Sequence, residues 1–326
     1  MNKRHCLGLI AASLLALAAG AAQAQGYPDK QIRIISPYGA GGGNDTISRL
    51  LATKLGAAFN QRVIVDNKPG GNTIIGNDML AKSPPDGYTL IVNGNGFVTN
   101  PSFYSKIPFD TVKDIAPVAF IGFTQLVLVA NAKLPASNVR EVIALAKAKP
   151  GTVNFGNTGH GGPEHLAGVM FGQMSGTDVG SIPYKGAAPA ITDLIGGQIQ
   201  LMITAMAAVQ PHITSGQLKL IAIANNARSP VYPNVATIAE SGLPGFDTSL
   251  WYGMMAPAGT PEPVIRRLNQ EVGKILREKE VVDIFTSRGL TAGSDRIVTP
   301  EQFGAFIKSE LATVAKVAKA ANIKPE

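Results

Sequence analysis

The sequence predicts an α/β protein of more than one domain. Strand-like and helix-like segments alternate almost throughout, which is the order of βαβ units. A strand at 32–36 precedes a helix with apolar residues between Ile47 and Phe59, and the same order recurs after Leu126. About 300 residues follow an export signal, which is long for a single hydrophobic core. We therefore expect two domains, each with a sheet flanked by helices.

The first 24 residues have the pattern of a secretory signal. Lys3 and Arg4 give a positive start, residues 7–19 are apolar, and small residues lead to Ala24. This pattern predicts a signal peptide at 1–24, cleaved after Ala24, and hence a periplasmic protein. A retained N-terminal anchor is the alternative, although the apolar segment is short for a membrane span. Cys6 would leave with the signal, so the mature chain would contain no cysteine.

The charge of the mature chain is only mildly positive. The whole sequence has a net charge of +7, and loss of Lys3 and Arg4 leaves +5. The basic residues are scattered rather than interleaved with aromatic residues, which argues against nucleic acid as a partner. A modest positive bias suits the attraction of small anions.

Two glycine-rich turns each lead into a predicted helix. One turn spans 37–45 after the first strand, and the other spans 156–163 after a strand that ends at Phe155. The first N–H groups of a helix have no partner inside it, and the helix dipole places partial positive charge there. Glycine lets a ligand approach this backbone closely. The turns therefore predict two anion sites made of backbone donors, which would hold a small carboxylate if they face each other.

The same turns also have simpler interpretations. Asn44 or Asp45 would cap the first helix, and Pro163 would start the second. A nucleotide site is poorly supported, because Gly39-x-Gly41-x-x-Asn44 lacks the last glycine of the dinucleotide fingerprint and no Gly-Lys-Ser/Thr follows.

Short segments along nearly the whole mature chain resemble the Bug-type solute-binding proteins of tripartite tricarboxylate transporters. Each segment is weakly specific alone, but their number and order are characteristic of that family. The matching segments are Tyr27-Pro28, Ile32-Arg33-Ile34-Ile35, Gly41-Gly42-Gly43-Asn44-Asp45, 65–71, 85–90, Asn100-Pro101, Phe103-Tyr104, 165–168, 183–190, 193–198, Trp251-Tyr252-Gly253 and 256–261.

This resemblance implies a fold and a function. The implied fold is an α/β, two-lobed periplasmic binding protein (type II-like), in which each lobe is a mixed, mostly parallel sheet flanked by helices and the ligand cleft lies between the lobes. Lobe 1 is expected from 25–123 plus 229–326, and lobe 2 from 124–228. The implied function is capture of a small organic carboxylate, namely a di- or tricarboxylate or an aromatic acid. A monomer would deliver this ligand to the large and small membrane subunits of the transporter.

The resemblance also assigns ligand-binding roles. Residues 41–45 would hold the carboxylate from lobe 1, residues 157–162 would supply donors from lobe 2, and residues 184–186 would border the cleft. The sequence departs from the family pattern at Tyr38-Gly39-Ala40, at Asn44 and at Thr204. Many members carry aspartate in place of Thr204. The missing carboxylate would have been a partner for an amino group, which argues against aspartate or glutamate as the ligand. The candidate ligand-binding residues are Tyr38, Gly41, Gly42, Gly43, Asn44, Asp45, Asn157, Thr158, Gly159, His160, Gly161, Gly162, Tyr184, Lys185, Gly186 and Thr204.

The sequence predicts no catalytic residue, no metal site and no cofactor. His160 and His165 are five residues apart, so they do not form the His-x-x-x-His pair of a zinc site. No Gly-x-Ser-x-Gly nucleophile turn is present, which argues against an exported α/β hydrolase. A ligand-sensing accessory protein of a membrane receptor has the same fold and stays open as an alternative.

Overall fold

The structure is a computed structural model that describes residues 26–159, 162–184, 186–229, 231–248, 250–320, 323 and 325. The predicted signal peptide at 1–24 lies outside these residues. Within them, no helix has both the length and the apolar character needed to cross a membrane. The described elements, in chain order, are β1 (Ile32–Ser36), α1 (Gly43–Phe59), β2 (Val63–Asn67), α2 (Ile74–Ala81), β3 (Thr89–Gly94), α3 (Asn95–Phe103), β4 (Ile115–Thr124), β5 (Leu126–Asn131), α4 (Val139–Ala148), β6 (Asn154–Asn157), α5 (Pro163–Ser175), β7 (Gly180–Pro183), α6 (Ala187–Gly196), β8 (Leu201–Ala205), α7 (Met206–Thr214), β9 (Leu218–Ile223), β10 (Leu250–Pro257), α8 (Glu262–Ile275), α9 (Lys279–Ser287), β11 (Leu290–Ala292) and α10 (Pro300–Ala320).

The strands form two separate sheets, which confirms the predicted α/β, two-lobed fold. Six strands follow the order β11-β4-β10-β3-β1-β2, and five follow the order β7-β6-β8-β5-β9. Lobe 1 here denotes the six-stranded sheet with the helices packed on it, and lobe 2 denotes the five-stranded sheet with its helices. The glycine-rich turns follow β1 in lobe 1 and β6 in lobe 2.

The sheets are mixed, as predicted, but the prediction that they are mostly parallel is wrong. Among the described strands, four pairings are parallel: β1 with β2 and β3, and β6 with β7 and β8. Five pairings are antiparallel, and each involves β4, β5 or β10. These strands carry the chain from one lobe to the other and back. They therefore run antiparallel to neighbouring strands, whereas strands joined by βαβ crossovers run parallel to one another.

The chain enters lobe 2 through one residue, Gln125, which lies between β4 and β5. The Gln125 N–H donates to the Gly289 carbonyl of lobe 1 at 2.9 Å, and the Gln125 carbonyl accepts from the Met206 N–H of lobe 2 at 2.9 Å. The two peptide groups that flank Gln125 are thus fixed to different lobes.

The segment 231–248 packs on lobe 2, although the sequence assigned it to lobe 1. The Ile238 N–H donates to the Ile223 carbonyl of β9 at 2.8 Å, and the Phe246 ring packs against Phe171 with 6.4 Å between centroids. The segment contains no helix or strand among its described residues. Such a segment has no apolar periodicity from which its lobe could be predicted. Burial of Ile238 and Phe246 places it on lobe 2.

One hydrophobic cluster runs through both lobes. It includes Phe97 and Trp251 of lobe 1 and Phe155 and Phe171 of lobe 2, all of them at most 2% exposed. The C-terminal helix α10 adds Phe303 and packs against both α3 and α5. Full burial of one such side chain contributes roughly 1.5–3 kcal/mol. Packing therefore joins the lobes in addition to the chain crossings.

Helix α3 is the main element that sequence patterning did not predict. Gly96 and Pro101 interrupt its sequence, and the helix is buried along most of its length, so its apolar residues show no single face. In contrast, a capping box, which local sequence signals can identify, precedes α10. The Gln302 N–H donates to Thr299 Oγ1 at 3.2 Å, and the Thr299 N–H donates to Gln302 Oε1 at 3.0 Å.

Candidate functional site

Asp45 fixes the first glycine-rich turn from within helix α1. Its side chain is almost fully buried and accepts hydrogen bonds from the Gly41 N–H at 2.9 Å, Asn67 Nδ2 at 2.9 Å and Arg49 Nε at 3.0 Å. The bond from Arg49 is the main cause that lowers the pKa of Asp45 to about 2, and the bonds from Gly41 and Asn67 add to it. Asp45 therefore positions the turn as a buried anion.

Asn44 and Gly43 shape the start of α1. Asn44 Oδ1 accepts from Ser36 Oγ at 2.8 Å, and Asn44 Nδ2 donates to the Val92 carbonyl at 2.9 Å, which ties the helix to β1 and β3. A Cβ atom at Gly43 would lie 3.2 Å from the Tyr252 hydroxyl oxygen. No side chain caps this helix start, so its first N–H groups remain available to a ligand.

The second glycine-rich turn is held in a similar way. Asn157 is 1% exposed, its Oδ1 accepts from the Gly159 N–H at 2.9 Å, and its Nδ2 donates to Ser181 Oγ at 2.9 Å. Gly159 has φ of 128°, a conformation that favours glycine over other residues. No side-chain hydrogen bond from the cap residue Gly162 closes the start of α5.

A cavity of about 990 Å³ lies between the lobes, and both turns line it. Its volume matches the roughly 300–1,000 Å³ of small-molecule sites. The two helix starts therefore border one space, the arrangement that the sequence required for gripping an anion from two sides. The predicted residues that line this cleft are Tyr38, Gly42, Gly43 and Asn44 from lobe 1, and Thr158, Gly159, Gly162 and Gly186 from lobe 2.

Five other candidates do not line the described part of the cleft. Gly41, Asp45 and Asn157 support the turns from behind, as described above. Tyr184 donates from its hydroxyl to Asp193 Oδ2 at 2.8 Å. Thr204 is 1% exposed within β8, where it pairs with β5. His160, Gly161 and Lys185 lie outside the described residues.

Sequence reasoning missed several residues of the cleft wall. Gly70, Gly71, Asn72 and Thr73 form a third glycine-containing turn, between β2 and α2. The same strand–turn–helix order that identified the other two turns could have identified this one. Asn95, Tyr104, Glu164, Leu250 and Tyr252 also line the cleft, and only the tertiary fold brings most of them there.

The side chains of the described cleft wall are neutral apart from one carboxyl group. Tyr38 and Tyr252 are partly buried, and burial is the main cause that raises the pKa of each, with nearby Glu164 adding to the rise. Both phenols therefore stay protonated and can donate hydrogen bonds. Burial also raises the pKa of Glu164, and hydrogen bonds from the Thr158 hydroxyl and from the backbone N–H of Glu164 itself partly oppose this rise. The described lining contains no lysine, arginine or histidine.

A second cavity of about 570 Å³ lies between the lobes behind the cleft. Asn95 and Pro163 line both spaces and thus form part of the wall between them. Glu310 of α10 borders this rear cavity. Burial is the main cause that raises the pKa of Glu310 to about 7, and nearby Asp247 adds to the rise. The Trp251 indole N–H opposes it, although it lies outside full hydrogen-bonding geometry.

Two α/β lobes with a small-molecule cleft between them define a two-lobed binding protein of the periplasmic type. Among solved structures, Rpa4515 of R. palustris with adipate superposes with a TM-score of 0.82 at 30% identity, covering 92% of this chain and 100% of that one. The periplasmic binding protein BugD superposes with a TM-score of 0.80 at 30% identity, again covering 92% of this chain and 100% of that one.

The sequence comparison gives the family. The model of the tripartite tricarboxylate transporter family receptor, TctC, matches residues 47–323. BugT of Bordetella pertussis is 38% identical over 300 residues, which cover 91% of each protein. The chain therefore belongs to the tripartite tricarboxylate transporter receptor family, and the predicted resemblance to Bug-type proteins is confirmed.

Proposed function

We propose that this protein binds a small organic carboxylate in the inter-lobe cleft and delivers it to the membrane subunits of a tripartite tricarboxylate transporter. The observation that carries the proposal is the pair of helix starts with a glycine at the cap position, Gly42 and Gly162, which line one cavity from different lobes. A relative of 30% identity has been solved with adipate, which supports the same ligand class.

Backbone groups and phenols would hold the carboxylate. A charge-assisted hydrogen bond contributes about 1.5–3 kcal/mol, so several N–H donors together offset a large part of the cost of immobilising the ligand. The hydroxyls of Tyr38 and Tyr252 lie on the lobe 1 wall as further donors. The ligand touches both lobes in this arrangement, so binding would stabilise the closed form of the protein.

Export through a cleaved signal peptide is also part of the proposal. The family comparison supports a periplasmic location, and residues 1–24 have the composition of a signal. Mass spectrometry of protein isolated from a periplasmic extract is expected to give a chain that begins at Gln25. An intact Met1 terminus in that fraction would contradict cleavage.

A thermal-shift panel tests the ligand class. The panel contains adipate, malate, citrate and benzoate, with glucose and putrescine as uncharged and cationic controls. A ligand at a hundred times its Kd stabilises the native state by about 2.7 kcal/mol, which raises the melting temperature by several degrees. We expect a shift with at least one acid. A shift with glucose or putrescine and with none of the acids would contradict the proposal.

A further inference from the structure

Glu164 places a carboxyl group in the cleft that is proposed to bind carboxylates. It is the second residue of α5, it is 9% exposed, and it lines the cavity. Its Oε2 accepts a hydrogen bond from Thr158 Oγ1 at 2.8 Å. Both residues belong to the lobe 2 wall, next to Gly159 and Gly162 of the second glycine-rich turn.

Among the described residues that line the cleft, no lysine, arginine or histidine side chain is present to neutralise a negative charge on Glu164. Tyr38 and Tyr252 from lobe 1 are close enough for Glu164 to raise the pKa of both phenols, and neither phenol carries a positive charge. His165, the next residue, packs its ring against Phe103 of α3 with 5.7 Å between centroids. From α10, which also packs on α5, Glu310 borders the rear cavity. His160 and Lys185 lie outside the described residues.

An anionic ligand in this space would meet the charge of an ionised Glu164. Two like charges in close contact repel by more than a single hydrogen bond contributes, even at the effective dielectric constant of a protein surface. A proton on Glu164 removes this repulsion and converts the side chain from an acceptor into a donor. Burial already favours the protonated form.

We infer that Glu164 takes up one proton from solvent when a carboxylate binds, and then donates a hydrogen bond to that carboxylate. The inference rests on the proposed function and adds a residue that determines ligand charge and pH dependence. Binding of a dianion then weakens by up to about tenfold per pH unit above the pKa of the free Glu164. A ligand with an ammonium group would instead pair with the ionised carboxylate and take up no proton.

Isothermal titration calorimetry measures this proton directly. The wild-type protein is titrated with adipate, malate and citrate in phosphate and in Tris buffer at several pH values between about 7 and 8, because the enthalpy difference between buffers of unlike ionisation enthalpy counts the protons taken up. Glu164→Gln keeps the shape and removes the titration. The matched control is Glu141→Gln, which changes an exposed acid in the first turn of α4, also in lobe 2.

We expect wild type and Glu141→Gln to take up a number of protons that rises towards one per ligand as pH rises, since a proton is taken up only where free Glu164 is ionised. Glu164→Gln should take up close to none, with an affinity nearly independent of pH. Binding with no uptake in the wild type, or with equal uptake in Glu164→Gln, overturns the inference and leaves the proposed function standing. Failure of all three acids to bind between about pH 5 and pH 8 contradicts the proposed function, and the inference falls with it.

Discussion

Three buried polar side chains, Asn44, Asp45 and Asn157, hold the two glycine-rich turns against their sheets. Each is bonded to backbone groups or to other side chains, and an unsatisfied buried polar group would cost about 1–3 kcal/mol. The turns are therefore set before a ligand arrives. Such preorganisation lowers the entropy that binding must overcome.

Glu310 is a second residue-scale feature with a measurable consequence. An unfolded chain releases the glutamate proton near its ordinary pKa of 4.5, whereas burial keeps it on native Glu310 until about pH 7. The native state thus binds more protons than the unfolded state between these values, so stability falls as pH rises through that window. Glu310→Gln is expected to remove this loss and to raise stability at pH 8 by at most about 3 kcal/mol.

Urea unfolding of both proteins at pH 4 and pH 8 tests the prediction. The variant and wild type should be similar at pH 4, and the variant should be more stable at pH 8. Glu301→Gln, an exposed position on the same helix, serves as control and should give no gain. Equal stability of Glu310→Gln and wild type at pH 8 would show that the native state accommodates the charge.

At the scale of elements, the starts of α1 and α5 are the parts that define the binding chemistry. Gly43→Ala would place a Cβ atom 3.2 Å from the Tyr252 hydroxyl, so either the phenol or the helix start must shift. We expect this substitution to weaken carboxylate binding by about tenfold, since one charge-assisted hydrogen bond is worth roughly 1.5–3 kcal/mol.

Gly196→Ala is the matched control for that experiment. Gly196 ends α6, and a Cβ atom there meets nothing within 4 Å. Calorimetric titration with the acid that gives the largest thermal shift should show wild-type affinity for Gly196→Ala and reduced affinity for Gly43→Ala. Unchanged affinity in Gly43→Ala would show that the start of α1 does not bind the carboxylate.

The sequence predicted the elements that carry the two turns because local signals mark them. Glycine after a strand and apolar periodicity before Phe59 are visible within a few residues of each other. Tyr252 and Glu164 gave no such signal as cleft residues. Tyr252 reaches the cleft because β10 returns from lobe 2 and inserts between β3 and β4, which is a non-local event. The antiparallel share of the sheets escaped prediction for the same reason.

On the scale of the whole molecule, the shared hydrophobic cluster couples the stability of the two lobes. Trp251 packs edge-on against Phe303 and Phe306 of α10, at 5.6 and 5.5 Å between ring centroids, and α10 in turn packs on α5 of lobe 2. Unfolding of one lobe would expose part of the core of the other. We therefore expect a single cooperative thermal transition.

Differential scanning calorimetry measures this cooperativity. The expected result is one peak whose calorimetric and van't Hoff enthalpies agree, as in two-state unfolding. Addition of a bound acid should move the whole peak upward without splitting it. Two resolved peaks, with only one shifted by ligand, would mean that the lobes unfold independently.

Gln125 limits how the lobes can separate. Its amide proton is held by Gly289 of one lobe and its carbonyl oxygen by Met206 of the other, so the two peptide groups that flank Gln125 are anchored to different lobes. Rotation of the lobes about the φ and ψ bonds of Gln125 keeps both hydrogen bonds, whereas a straight separation of the lobes breaks one of them. We therefore expect the width of the cleft to change by rotation about this residue rather than by a straight separation of the lobes.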